Sequence, residues 1–149
     1  MGDAAEKYEI VRMPRDEKEL ASVLEEVSPF VDATYSEEDQ AVFGEPRFLL
    51  DYWLFVWDTG SGFFVTKRDG EGKLMLVAML TKYKDIWYAR TRLEIQRISI
   101  AEGVEDEDKE IKALEEYLIS VAPLMEFDFL YRNIRDDKGN ELKKLVWRS

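Results

Sequence analysis

The chain contains no cysteine. That excludes a disulfide framework, a thiol nucleophile and a thiolate metal site. Histidine is absent as well, which removes the commonest general base, the Ser–His nucleophile pair and most zinc sites. Carboxylate, tyrosine, lysine or backbone chemistry remains, or no chemistry. Positive charge is in deficit: 21 Lys and Arg stand against 32 Asp and Glu, a net charge of -11. Direct nucleic-acid binding and binding to anionic membranes both need the opposite balance. No window approaches the roughly 18 apolar residues of a membrane span, and the polar start Met1–Lys7 carries no targeting pattern. A cytoplasmic location is expected. Repeats, low-complexity tracts and Gly/Ser-rich linkers are missing too, so 1–149 is expected to form a single domain.

What is present suits a globular core: 46% hydrophobic and 13% aromatic residues over 149 positions. Tyr8–Met13 reads as a strand ended by Pro14. Asp16 and Glu19 have capping-box spacing, and Leu20, Val23, Leu24 and Val27 follow at helical intervals until Pro29, which is expected to close that helix. Ser36 caps a shorter helix through about Phe43, ending near Gly44, and Phe48–Leu50 reads as a packed connection. Trp53–Trp57, apolar throughout, opens a strand-rich middle, followed by a turn at Thr59–Gly62 and the strand residues Phe63, Phe64 and Val65. Asp69-Gly70-Glu71-Gly72 is a hairpin signal. Leu74–Leu80 is apolar on both faces, as for the central strand of a sheet covered on both sides. Tyr83–Asp85 reads as a turn, Ile86–Thr91 as an extension into the strand Leu93–Ile100. After an acidic loop, Ile111, Leu114, Leu118, Val121 and Ala122 mark one face of an amphipathic helix stopped by Pro123. Phe127, Phe129 and Tyr131 alternate in a strand, and Leu142–Trp147 returns after the turn Asp136–Asn140.

The strand Leu93–Ile100 carries a local anomaly. Leu93 and Ile95 are apolar at odd positions, Ile98 and Ile100 at even ones. Regular alternation cannot change phase, so a one-residue β-bulge near Gln96–Arg97 is expected, a feature common beside functional sites. The alternative is a loosely alternating strand with both faces partly buried.

The order strand, helix, short helix, three antiparallel strands, helix, strand, strand resembles the GNAT (GCN5-related N-acetyltransferase) fold. The resemblance runs from Tyr8 to Trp147 and is best over Phe63–Gly70, Lys73–Ala78, Leu93–Ile100 and the helix from Asp108. It implies an α+β architecture, a mixed, mostly antiparallel sheet with helices on both faces. It also implies a bulged fourth strand that splays the sheet for the pantetheine arm of acyl-CoA, at the position of the phase slip.

The family's cofactor turn, Arg/Gln-x-x-Gly-x-Gly/Ala, has no counterpart. Glu102–Asp108 holds one glycine, Gly103, no Lys or Arg, and five carboxylates. Half a positive charge at a helix N-terminus cannot offset that many like charges facing a pyrophosphate. The carboxylates can instead cap the helix, form a patch for a partner, or hold a metal, although they do not match a calcium-loop template. Tyr131 falls near the place of a general acid in some members of the family, or it packs in the core. Trp53, Trp57, Trp87 and Tyr88 line a cleft or fill a core. Lys82, Lys84, Arg90 and Arg92 form a solvated strand edge or contact an acidic partner or adjacent subunit.

No catalytic, cofactor-binding or metal residue is therefore assigned, and no cofactor is expected. The leading expectation is a catalytically degenerate acyltransferase-like module acting by protein–protein interaction, with a protein partner or a second copy of itself. By resemblance it could be a bacteriophage structural (virion) or accessory protein, acting in the host cytoplasm or the virion. The first alternative is an active N-acyltransferase that uses acyl-CoA with a non-standard cofactor loop. The second is an acidic nucleic-acid mimic that inhibits a DNA-binding enzyme.

Overall fold

The computed structural model describes residues 7–14, 16–85, 90–135, 138 and 140–149. Within them the chain forms β1 (Lys7–Val11), α1 (Glu17–Ala33), α2 (Glu37–Phe43), α3 (Pro46–Asp58), β2 (Gly62–Arg68), β3 (Leu74–Asp85), β4 (Arg90–Ile100), α4 (Glu107–Ser120), α5 (Ala122–Met125), β5 (Phe129–Arg135) and β6 (Glu141–Arg148). The six strands form one sheet in sequence order. Every neighbouring pair is antiparallel except β4–β5, which is parallel. The chain reaches that parallel register through α4 and α5, the crossover that parallel strands require. The α+β architecture expected from the sequence, with helices on both faces, is present.

Two apolar layers hold the helices on. On one face Phe63, Val65, Leu76, Ala78, Leu80, Leu93 and Ile95 pack against Leu114, Leu118, Ala122 and Met125 of α4 and α5. On the other, Phe64, Val77 and Met79 meet Val27 and Val31 of α1 and Leu49, Trp53 and Trp57 of α3. Val77, Ala78 and Leu80 are wholly buried, because β3 lies between β2 and β4 and is roofed on both sides. Its two-sided apolar pattern has that cause.

Several expectations need correction. Pro29 does not end α1; it lies inside a helix that runs on to Ala33. Proline removes the N–H that would bond the Glu25 carbonyl. Both residues are exposed, so water can take that carbonyl, while Val27 and Val31 hold the flanking turns in the core. Asp16 caps α1 by accepting from the Lys18 N–H, whereas the reciprocal capping box forms at Ser36 and Asp39 of α2. Residues Phe48–Leu50 and Trp53–Trp57 are neither connection nor strand: they make up α3, with Pro46 in its first turn. Tyr83–Asp85 continues β3 rather than turning. Residues 86–89, where an extension into β4 was expected, lie outside the described residues. The helix of Ile111 and Leu114 ends at Ser120, and Pro123 sits inside the separate turn α5 rather than ending α4.

The α3–β2 junction sets the distance between helix and sheet. A Cβ on Gly62 would stand 2.6 Å from Val56 Cγ1 and 3.2 Å from the Leu80 carbonyl oxygen. Neither neighbour can retreat without moving α3 or β3. We expect Gly62→Ala to lower the unfolding free energy by about 1–3 kcal/mol in urea titration. Gly72→Asn is the control: that glycine has φ 82° with nothing within 4 Å, so a residue that tolerates left-handed backbone should cost little there.

Candidate functional site

The phase slip in β4 is a bulge. Met79 of β3 pairs with Arg97, but the next residue, Leu80, pairs with Ile95. Gln96 is therefore the extra residue on β4, and the expected irregularity at Gln96–Arg97 is found. Its effect is to keep Leu93, Ile95, Ile98 and Ile100 all on the α4 face. Arg97 and Ser99, opposite Met79 and Val77, turn to the face of α1–α3.

On its other side β4 pairs with β5 through four positions, Arg92–Phe129 to Ile95–Arg132. Pairing between these two strands then ends among the described residues, and a cleft of about 380 Å³ opens at the bulge. One wall is α3 (Phe48, Leu49, Tyr52, Trp53); the other is built from Met79, Gln96, Arg97, Asn133 and Glu141. The Gln96 amide spans its floor. Its Nε2 donates to Thr81 Oγ1 (2.8 Å) and Glu94 Oε2 (3.1 Å), and its Oε1 accepts from Asn133 Nδ2. A second cavity of about 210 Å³ shares Arg97 and follows β4 past Ile98, Ser99 and Ile100 to Glu107 and Ile111 of α4. Thr34, Ser36 and Asp39 close it from the α1–α2 junction.

Beneath the first cleft lies a buried carboxylate. Glu94 is 2% exposed and bonds Lys143 Nζ of β6 at 2.9 Å and Arg92 Nη2 at 3.2 Å. Burial pushes the Glu94 carboxyl up, but hydrogen bonds from Tyr83 and Lys143 and the charges of Lys143 and Arg92 together hold it below the usual carboxylate range. The Tyr83 hydroxyl is pushed up by burial and by its bond to Glu94, and the Lys143 ammonium is pushed up by its bond to Glu94. A carboxylate stabilised this way is a weak proton acceptor. It clamps β3, β4 and β6 together beside the cleft rather than offering a poised base. Arg97 is likewise committed, bonding Asp39 Oδ2 at 2.9 Å across the cleft rim. Burial pushes the Asp39 carboxyl up, but hydrogen bonds from Arg97 and Ser36 and the Arg97 charge hold it below its ordinary value.

The acidic loop caps its helix. Asp106 accepts the Lys109 N–H at 3.1 Å, and Glu107, Asp108 and Glu110 occupy the first turn of α4. Among the described residues no group of three or more acidic side chains could hold a metal ion, and no helix is long and apolar enough to cross a membrane.

Other sequence candidates disperse. Tyr131 pairs across from Glu94, and the Arg92 guanidinium lies over its ring at 4.2 Å. Trp53 and Trp57 fill the core against Phe64, at ring separations of 6.0 and 4.9 Å, and Trp53 also lines the cleft. Trp87 and Tyr88 lie outside the described residues. The basic group is not a strand edge, since β3 and β4 are interior strands. Lys82 Nζ donates to the Met125 carbonyl, Arg92 serves Glu94, and only Lys84 and Arg90 are exposed. Sequence reading placed Gln96 at the bulge without its hydrogen-bonding role, and missed Tyr83, Glu94, Asn133 and Lys143. The available signal was Glu94 itself, a charge between two apolar neighbours next to the phase slip.

No family model and no curated protein matches the sequence. The structure is similar to that of a probable acetyltransferase, with a TM-score of 0.65 and 10% identity over 88% of this chain and 80% of that one. It is also similar to ribosomal-protein-alanine N-acetyltransferase from Brucella melitensis biovar Abortus 2308, with a TM-score of 0.60 and 13% identity over 86% and 79%. A GNAT family acetyltransferase from Staphylococcus aureus subsp. aureus USA300_TCH1516 gives 0.59 and 8% over 97% and 98%. At these identities the likeness is one of fold, and the fold is GNAT-like.

The buried clamp is testable through stability. Glu94→Gln should lose about 1–3 kcal/mol at pH 7 in urea titration. Because the folded carboxyl is held below its unfolded value, its contribution is present above the carboxylate range and fades as pH falls through it. The difference between variant and parent should therefore shrink as titrations are repeated towards pH ~3.5.

Proposed function

We propose that this chain is an acyltransferase-fold module that works by binding a protein partner and does not take up acyl-CoA at the α4 turn. The observation that carries the reading is the state of that turn. A pyrophosphate would need free backbone N–H groups and nearby cations. Here the Asp106 carboxylate already holds the Lys109 N–H, and Glu107, Asp108 and Glu110 occupy the same first turn. Glu102–Asp108 supplies no Lys or Arg. The residues at this turn do not fit the acyl-CoA that the GNAT resemblance implies. The clamped Glu94 adds to this, since its lowered proton affinity suits a structural carboxylate better than a general base.

One feature favours a second reading, an N-acyltransferase with a non-standard cofactor loop: the bulge at Gln96 and the opening between β4 and β5 are intact. Calorimetry separates the two. With acetyl-CoA up to about 1 mM, a range that reaches binding free energies near -4 kcal/mol, we expect no saturable heat at moderate ionic strength. A micromolar dissociation constant, with transfer to an amine that is lost when Tyr131 is changed to Phe, would establish the enzyme instead.

A further inference from the structure

The unpaired side of β4 runs through both cavities. In an antiparallel pair, alternate residues exchange backbone bonds with the partner strand. Ala101 donates to the Met75 carbonyl, so by the register Arg97 and Ser99 also face β3. The N–H and C=O groups of Ile98 and Ile100 then point the other way, where β5 has stopped pairing. The second cavity lies along this edge, since it is lined by Arg97 and Ser99 from one face of β4 and by Ile98 and Ile100 from the other.

Two residues that line the first cavity carry polar atoms buried behind its wall. Trp53, 1% exposed, lines it, and its indole N–H has no hydrogen-bond partner among the described residues. Asn133 also lines it, and its Oδ1 is a buried acceptor without a partner among the described residues. A donor and an acceptor are thus both left over behind the aromatic wall of the cleft, while the groups open to a peptide backbone are those of the β4 edge.

We propose that the two cavities form one site for an extended, basic peptide segment that adds as a strand along Ile98 and Ile100. This rests on the protein-binding reading above and names its partner class. An aromatic or large apolar side chain of the peptide enters between α3 and the bulge, against Tyr52 and Trp53. From Gln96 to Glu102 the strand and its exit span about 20 Å, on the order of six extended residues. A Lys or Arg that far along meets Glu107 in the second cavity and the exposed carboxylates Glu102, Glu105 and Asp106. Main-chain pairing supplies affinity and the two side-chain contacts supply selectivity. The charge of -11 steers a cationic segment in and an anionic one away.

The test uses the full chain labelled with nitrogen-15 and pools of six-residue peptides blocked at both ends. The first pool has an aromatic first position, Lys at the last two and Thr, Val or Ser between. A second replaces Lys by Glu. Two further pools are N-methylated at alternate amides, one in each frame. We expect the first pool to shift the Ile98 and Ile100 amides and the Trp53 indole resonance saturably. The Glu pool should bind about tenfold more weakly or worse, and one N-methyl frame should lose about tenfold relative to the other, as expected for two lost hydrogen bonds. No saturable shift up to about 1 mM, shifts centred elsewhere, or equal affinity of the two frames would overturn the proposal. Acetyl-CoA titrated into the same sample keeps the two readings apart. Its binding would overturn the binding-module reading, whereas silence from both acetyl-CoA and the first pool overturns the peptide site alone.

Discussion

One extra residue in β4 governs the rest of the molecule. Were Gln96 paired like its neighbours, regular alternation from Leu93 and Ile95 would send Arg97 and Ser99 into the apolar layer under α4 and turn Ile98 and Ile100 towards α1–α3. The bulge restores the phase, so four apolar side chains of β4 face α4. A bulge also bends and twists its strand. After Ile95 the path of β4 no longer matches that of β5, and both cavities follow from that divergence.

The polar interior is arranged to survive this opening. Arg92, Glu94, Lys143 and the Tyr83 hydroxyl join β3, β4 and β6 where β4 and β5 are about to part. Gln96 and Asn133 join the two strands at the level of the bulge itself. On the far rim Arg97 ties β4 to α2 through Asp39, and its guanidinium lies 5.4 Å from the centre of the Tyr35 ring. Lys67, 4% exposed, reaches Glu110 of α4 at 2.7 Å. A buried charge is tolerable only when paired and hydrogen-bonded. An acidic protein short of cations places several of the few it has inside, against specific carboxylates. Other carboxylates stay outside, among them the exposed run Glu102, Glu105, Asp106, Glu107 and Asp108 at the start of α4.

Legibility in the sequence followed the contrast between the two sides of each element. The face of α4 was readable because Leu114 and Leu118 stand among charged residues, and α2 because Ser36 and Gly44 mark its ends. In α3 the contrast fails. Leu49, Trp53, Val56 and Trp57 face the core, yet the outer side carries Phe48, Tyr52 and Phe55 at 50%, 59% and 68% exposure. With apolar residues all round, a helix and a buried strand look alike. The same blindness hid the cleft, whose principal wall is that helix. Pro29 misled for the converse reason: a helix-breaking residue is overruled when the turns on either side are anchored in the core.

By itself the sequence determined what depends on residue type and local spacing. The lack of cysteine and histidine bounds the chemistry, the apolar content makes a core, the doubly apolar run Leu74–Leu80 makes a central strand, and the slip at Gln96 makes a bulge. Each is a property of a few neighbouring residues. Tertiary structure alone decided which distant groups meet. Glu94 and Lys143 are 49 positions apart in the chain, and nothing local to either announces the other. Their contact depends on β5 lying parallel beside β4 and β6 turning back beside β5. The cleft is likewise a space between α3 and a sheet that has come apart, and a space has no residues of its own to be read.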